Sequence, residues 1–134
     1  MQRLLNLAAG VLLLSVTSRA DAGTLFTNPV IYVAPMTLNF GPVAAGATAT
    51  NAFVVENMGS GKLVGAATVA APFQILSGGD YTLRHKEAQI VTVTYKPSGA
   101  VSDTQTVHFT GGGGVKATAV GQLAVPRSNR SKRK

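Results

Sequence analysis

The feature that most constrains this chain is a two-residue rhythm carried by short runs. In residues 88–96, AQIVTVTYK, Val91, Val93 and Tyr95 fall on one side of an extended chain, and Ile90, Thr92, Thr94 and Lys96 on the other. The rhythm recurs in 36–40, with Met36, Leu38 and Phe40 on one face, before Gly41-Pro42 is expected to stop that strand. It returns in 48–57, where Phe53 and Val55 point inward and Val54 and Glu56 outward, and in 104–110, with Val107 and Phe109 inward. Residues 115–121 close the series, with Val115, Ala117 and Ala119 inward. Weaker strands are expected at 63–69, 73–75 and 81–84. Turn clusters separate the runs: 57–61 (NMGSG), 77–80 (SGGD), 97–99 (PSG) and 111–114 (GGGG). About seven or eight short strands at roughly 8–12-residue spacing, with no helical period, predict an all-β antiparallel sandwich.

The chain has 134 residues and no cysteine, which excludes disulfides, thiolate metal sites and cysteine nucleophiles. Its stability therefore rests on packing and strand pairing alone. Residues 1–22 combine Arg3, an apolar run over 4–16 and the small-residue exit Ala20-Asp21-Ala22. The run of about thirteen residues would be roughly 20 Å long as a helix, short of a bilayer core of about 30 Å. It is expected to be a secretory signal cleaved after Ala22, leaving a mature chain without a transmembrane span in the periplasm, secreted or at the cell surface. Residues 23–35 form a lead-in in which Val30, Ile31, Tyr32 and Val33, between Pro29 and Pro35, make a short edge strand. Such an edge pairs with the body or with a partner, and pairing within the body is the expectation.

The formal charge of +7 is unevenly placed. The tail at 127–134, RSNRSKRK, carries Arg127, Arg130, Lys132, Arg133 and Lys134. The body from Gly23 to Pro126 holds Lys62, Arg84, Lys86, Lys96 and Lys116 against Glu56, Asp80, Glu87 and Asp103. This near balance argues against a nucleic-acid footprint on the body. Residues 124–134 have little to bury and are expected to be disordered. The tail reads as a solvated end, as a nuclear address that the exit signal opposes, or as an electrostatic contact, without sequence specificity, for anionic envelope polymers, lipid headgroups or nucleic acid.

Several segments resemble a known family. Leu38-Asn39-Phe40-Gly41-Pro42-Val43, Gly46 and Asn57-Met58-Gly59-Ser60 followed by Leu63 are similar to the opening of the ASH (Hydin-like) immunoglobulin-type domain. Pro72-Phe73-Gln74-Ile75 and Val91-Thr92-Val93-Thr94-Tyr95-Lys96-Pro97 continue the likeness, which covers about 36–123. The resemblance implies an immunoglobulin-like sandwich acting as a binding or spacer module in an exported bacterial protein of the choice-of-anchor kind. It supplies no catalytic residues and no cofactor.

Individual motifs point to no reaction. Gly59-Ser60-Gly61-Lys62 lacks the phosphate-loop pattern, because Glu56 and Leu63 stand where glycine and Ser/Thr are needed. Gly111–Gly114 precedes a strand and has no helix dipole behind it. His85, in a loop, and His108, facing outward, are too few for a metal, and neither has an orienting acid. Glu87 and Asp103 read as solvated loop charges, Met36 and Met58 as core and turn residues. The expected activity is non-enzymatic protein contact through strand edges, with the polyanion-binding tail as the alternative.

Overall fold

A computed structural model describes residues 28–127. These form nine strands: β1 (Ile31–Ala34), β2 (Thr37–Val43), β3 (Ala49–Asn57), β4 (Leu63–Thr68), β5 (Phe73–Ser77), β6 (Asp80–Leu83), β7 (Ala88–Tyr95), β8 (Ser102–Phe109) and β9 (Val115–Leu123). One sheet has the order β1-β3-β7-β5 and the other β2-β9-β8-β4-β6. Their inner faces meet over Phe53, Val55, Leu63, Val91, Val93, Tyr95, Val107 and Phe109, each at most 2 % exposed. These are the positions that the two-residue rhythm turns inward, because a pleated strand sends alternate side chains to opposite faces.

Several expectations need correction. The strands number nine, and β2 pairs with β9 in parallel (Leu38 opposite Ala119), so the sandwich is not wholly antiparallel. The physical reason is that the lead-in does not reverse. It runs antiparallel to β3 as β1, crosses between the sheets at Pro35-Met36, and continues as β2 beside β9. Met36 lies in that crossing and is 54 % exposed rather than buried, whereas Leu38 is 2 % exposed. Nor does Gly41-Pro42 end the strand. Gly41 takes a left-handed φ of 66°, its N–H is received by Asn39 Oδ1 at 2.8 Å, and β2 resumes one residue out of register through Val43. A proline is tolerated there because β2 borders its sheet and needs ladder donors on one side only.

A second crossing, Gly78-Gly79, carries the chain from β5 to β6 on the opposite flank. The Gln89 side-chain amide fastens it, donating to Gly78 O at 2.9 Å and Asp80 O at 2.8 Å. Each flank is therefore spanned by a chain segment that switches sheets, and the border strands on this flank, β6 and β5, are only four and five residues long.

Asp103 is not the solvated loop charge its sequence context suggests. It receives Tyr95 OH at 2.8 Å and Ser98 Oγ at 2.5 Å, closing the β7–β8 loop onto the core. Burial first, and then the Asp103 carboxylate, push the Tyr95 phenol up to about 12. The Ser98 hydroxyl, in turn, holds Asp103 below its ordinary range. The unfolded chain loses the Tyr95 proton near pH 10, before the folded one does, so stability present below pH 10 is lost as the pH climbs toward 12. Urea melts of the Tyr95→Phe variant are expected to show a shallower alkaline decline than wild type. Parallel declines would contradict this.

Candidate functional site

The alternation that fills the core also decides what each outer face offers. On the outer face of the four-stranded sheet, Ala34 stands opposite Val54, and Val54 opposite Ile90. Tyr32 and Glu56 form the next pair. Val54 is 42 %, Tyr32 52 %, and Ile90 and Leu76 61 % exposed. A contiguous apolar row thus crosses three strands, with Leu76 on the fourth, and Glu56 is the one ionisable strand residue among them apart from the Tyr32 phenol. Exposed apolar residues in a continuous patch mark contact surfaces more often than scattered ones do.

The other outer face is hydroxyl-rich. Thr37, Thr118 and Thr106 form one row, and Thr104 and Val120 lie beside it. Thr68, His108 and Lys116 form another row. Two shallow depressions, about 430 and 460 Å³, adjoin at His108. Thr68, Gln105 and Thr106 line the first, and Gly114, Val115 and Lys116 the second. Among the described residues, neither depression has a carboxylate in its lining. No group of three His, Cys, Asp or Glu residues able to hold a metal occurs among the described residues.

At one end of the sandwich the turn 58–62, the turn 84–87 and the entering chain 28–30 converge on Asn57, which is fully buried. Its Oδ1 receives the N–H of Val30 (3.2 Å) and of Gly59 (3.0 Å), and its Nδ2 donates to Gly61 O (3.0 Å) and Leu83 O (3.1 Å). Its backbone carbonyl receives Lys86 N at 2.8 Å, and His85 Nδ1 meets Gly59 O at 2.7 Å. One amide side chain thereby fixes three separate segments. Every buried side-chain nitrogen and oxygen among the described residues has a partner.

The sequence-derived positions are distributed as follows. Ile31, Tyr32 and Val33 lie in β1, which pairs with β3, while Val30 precedes the strand and its carbonyl receives Met58 N at 2.8 Å. Ile31 and Val33 are buried and Tyr32 faces out. The outer border of β1 is partly taken, because Ile31 N donates to Gly112 O at 3.3 Å. Arg127 is exposed. Ala22, Arg130, Lys132, Arg133 and Lys134 lie outside the described residues, as does most of the tail reading. Among the described residues, no helix is long and apolar enough to cross a membrane. The outward direction of Val54 and Ile90 was visible in the alternation, whereas their alignment into one row, the Asn57 hub and the Tyr95–Asp103 bond were not. For Asn57 the only sequence signal was its place at the head of an Asn-x-Gly-Ser turn.

No family model matches the chain, and no curated protein matches it by sequence. Solved structures do match its fold. The chain is similar to the ASH / PapD-like domain 7 of human CEP192, with a TM-score of 0.62 and 16 % identity over 74 % of this chain and 88 % of that one. It is similar to a protein of unknown function from Porphyromonas gingivalis W83, with a TM-score of 0.63 and 15 % identity over 72 % of this chain. A third likeness is to the E. coli chaperone DraB, with a TM-score of 0.54 and 10 % identity over 73 % of this chain. The chain spans 48 % of the P. gingivalis protein and 56 % of DraB. Together these show that the fold is the immunoglobulin-like sandwich of ASH / PapD-like domains.

Proposed function

We propose that this domain is an exported, non-enzymatic protein-binding module that meets its partner across the outer face of the β1-β3-β7-β5 sheet. The observation that carries the reading is the apolar row Ala34–Val54–Ile90 with Tyr32 and Leu76 beside it, exposed but for the half-buried Ala34, on a face whose described residues include a single acidic one. Burying such a row contributes roughly 25 cal/mol for each Å² removed from water. The lead-in strand serves as the cover of the upper half of β3, since it pairs with Val54–Asn57. That the similar structures include a chaperone and a PapD-like domain accords with a role in protein contact.

A second reading rests on the segregation of charge: Arg127, Arg130, Lys132, Arg133 and Lys134 fall within eight residues beside a body of small net charge. The tail would then hold the protein to anionic envelope polymers or lipid headgroups by a salt-sensitive attraction.

One experiment addresses both. A photo-cross-linking residue placed at Val54, Ile90 or Thr106 in the full chain is exposed to its own envelope fraction, with and without residues 128–134. The first reading expects one protein adduct from the Val54 and Ile90 sites, none from Thr106 on the other face, and loss of the adduct in Ile90→Glu. Equal labelling from Thr106 would sink it. The second reading expects retention on anionic vesicles that disappears with the tail or with added salt, and retention unaffected by either would sink that.

A further inference from the structure

The body looks nearly neutral along the sequence, but its charges are not spread evenly in space. Lys62 and Arg84 each stand one residue beyond the Leu63–Leu83 pair of β4 and β6, which sets two cations opposite each other at the end of the ladder. Lys86 follows two residues later, with a left-handed φ of 66° that a side-chain-bearing residue seldom adopts. All three are exposed. Like charges directly across a strand pair destabilise it, and among the described residues no carboxylate pairs with any of these three side chains. The carboxylate within the turn, Glu87, turns back to receive Arg84 N at 2.7 Å. On the flanking strands Lys116 and Glu56 offset each other, so the three loop cations outweigh Glu87 and leave this end at +2.

The backbone beneath these cations is held. His85 Nδ1 to Gly59 O, Lys86 N to Asn57 O and the four bonds of the Asn57 side chain lock the two turns together. Three cations mounted on a fixed platform lose less freedom on binding than three on a mobile segment. The described chain that precedes the basic segment is at the opposite end of the sandwich, where the N–H groups of Leu123 and Ala124 donate to the carbonyls of Val101 and Val43. Strands of eight or nine residues separate the two ends by about 27 Å at ~3.3 Å per residue, well beyond a Debye length of about 8 Å.

We propose that the loop end is a second oxyanion site, at which Lys62, Arg84 and Lys86 hold phosphate groups of a linear, phosphate-bearing polymer independently of the tail. A guanidinium fork beside two ammonium groups suits closely spaced, multiply charged oxyanions, whereas a lone carboxylate needs only the fork. The inference does not depend on the protein-contact face, which lies on other residues and has its own test.

The test is a titration of the full chain, labelled with nitrogen-15, with short-chain inorganic polyphosphate, following backbone amide shifts. Saturable shifts are expected at residues 59–62 and 84–87, separate from those of the tail. Three phosphate contacts predict a roughly thirtyfold weaker affinity at this end when salt is raised fourfold. The triple variant K62Q/R84Q/K86Q is expected to lose the loop shifts and keep the tail shifts, and deletion of 128–134 to do the reverse. A dispersed spectrum establishes that the variant is folded, and Lys62→Gln alone, a change at an exposed position, serves if it is not. Shifts confined to the tail, loop shifts that survive the variant, or equal affinity for an oligoglutamate peptide would each overturn the proposal. The last outcome would make the loop end a contact for acidic protein segments.

Discussion

Replacing Asn57 by alanine is expected to remove about 3–4 kcal/mol of stability, more than any surface change in the molecule. The side chain is 0 % exposed, and its removal leaves two amide donors, on Val30 and Gly59, and two carbonyl acceptors, on Gly61 and Leu83, without their partner. Each such bond contributes about 0.5–1.5 kcal/mol net, and a group left buried and unpaired costs more. For a domain of this size the loss corresponds to a melting temperature lower by roughly 15–25 °C. Asn57→Asp keeps the oxygen that receives the N–H groups of Val30 and Gly59 but turns a second carboxylate oxygen toward the carbonyls of Gly61 and Leu83. That carboxyl is expected to titrate above its ordinary range, because both burial and the facing carbonyl oxygens disfavour the charged form. The variant should then be least stable at neutral pH and recover part of the loss as the pH falls through that raised value. Thermal melts followed by circular dichroism decide the matter. A loss below about 1 kcal/mol for Asn57→Ala would mean that water replaces the amide and that the hub is not structural.

Gly121→Ala is the second large effect, and it has a different origin. A Cβ at this position would overlap three carbons of the Tyr95 ring. The ring cannot withdraw. It stacks on Phe73 at 4.8 Å between centroids, meets Phe40 at 5.7 Å, and is tethered through its hydroxyl to Asp103 at 2.8 Å. Overfilling a packed core typically costs 1–3 kcal/mol and occasionally more, and about 3 kcal/mol is expected here because three separate contacts resist relief. The diagnostic measurement is a double-mutant cycle with Tyr95→Leu. If the clash with the ring is the cause, the second change relieves much of the first, and the two losses sum to clearly more than the double variant shows. Strict additivity would place the cost elsewhere, in the backbone of β9.

Much of the architecture was legible before any coordinates. Val91, Val93 and Tyr95 alternate with threonines, Phe53 and Val55 alternate with Val54 and Glu56, and each set lies on the side that the rhythm assigns to it. The glycine and asparagine clusters at 57–61 and 111–114 mark reversals. Met36 and Gly41-Pro42 were misread because alternation and proline placement are local rules, while their outcome depends on where the chain crosses between sheets and which strand borders a sheet. Asp103 was misread for a related reason: its partner Tyr95 is eight residues away, across a turn whose path the sequence does not specify. The tail reading lies almost wholly outside the described residues, apart from Arg127.

The amino-acid order alone is enough for a sandwich of short strands and for most of the side chains that fill it. Strand periodicity and turn chemistry act over a few residues and can be read directly. It also set the outward direction of Val54 and Ile90, because whatever alternation sends inward it must also send outward. The folded arrangement alone brings Lys62, Arg84 and Lys86 to one end, over turns that a buried asparagine holds. It likewise decided that the lead-in covers β3 and then joins β9 in parallel. Those outcomes rest on contacts between segments distant in the chain, whose meeting depends on sheet order and register rather than on any local preference.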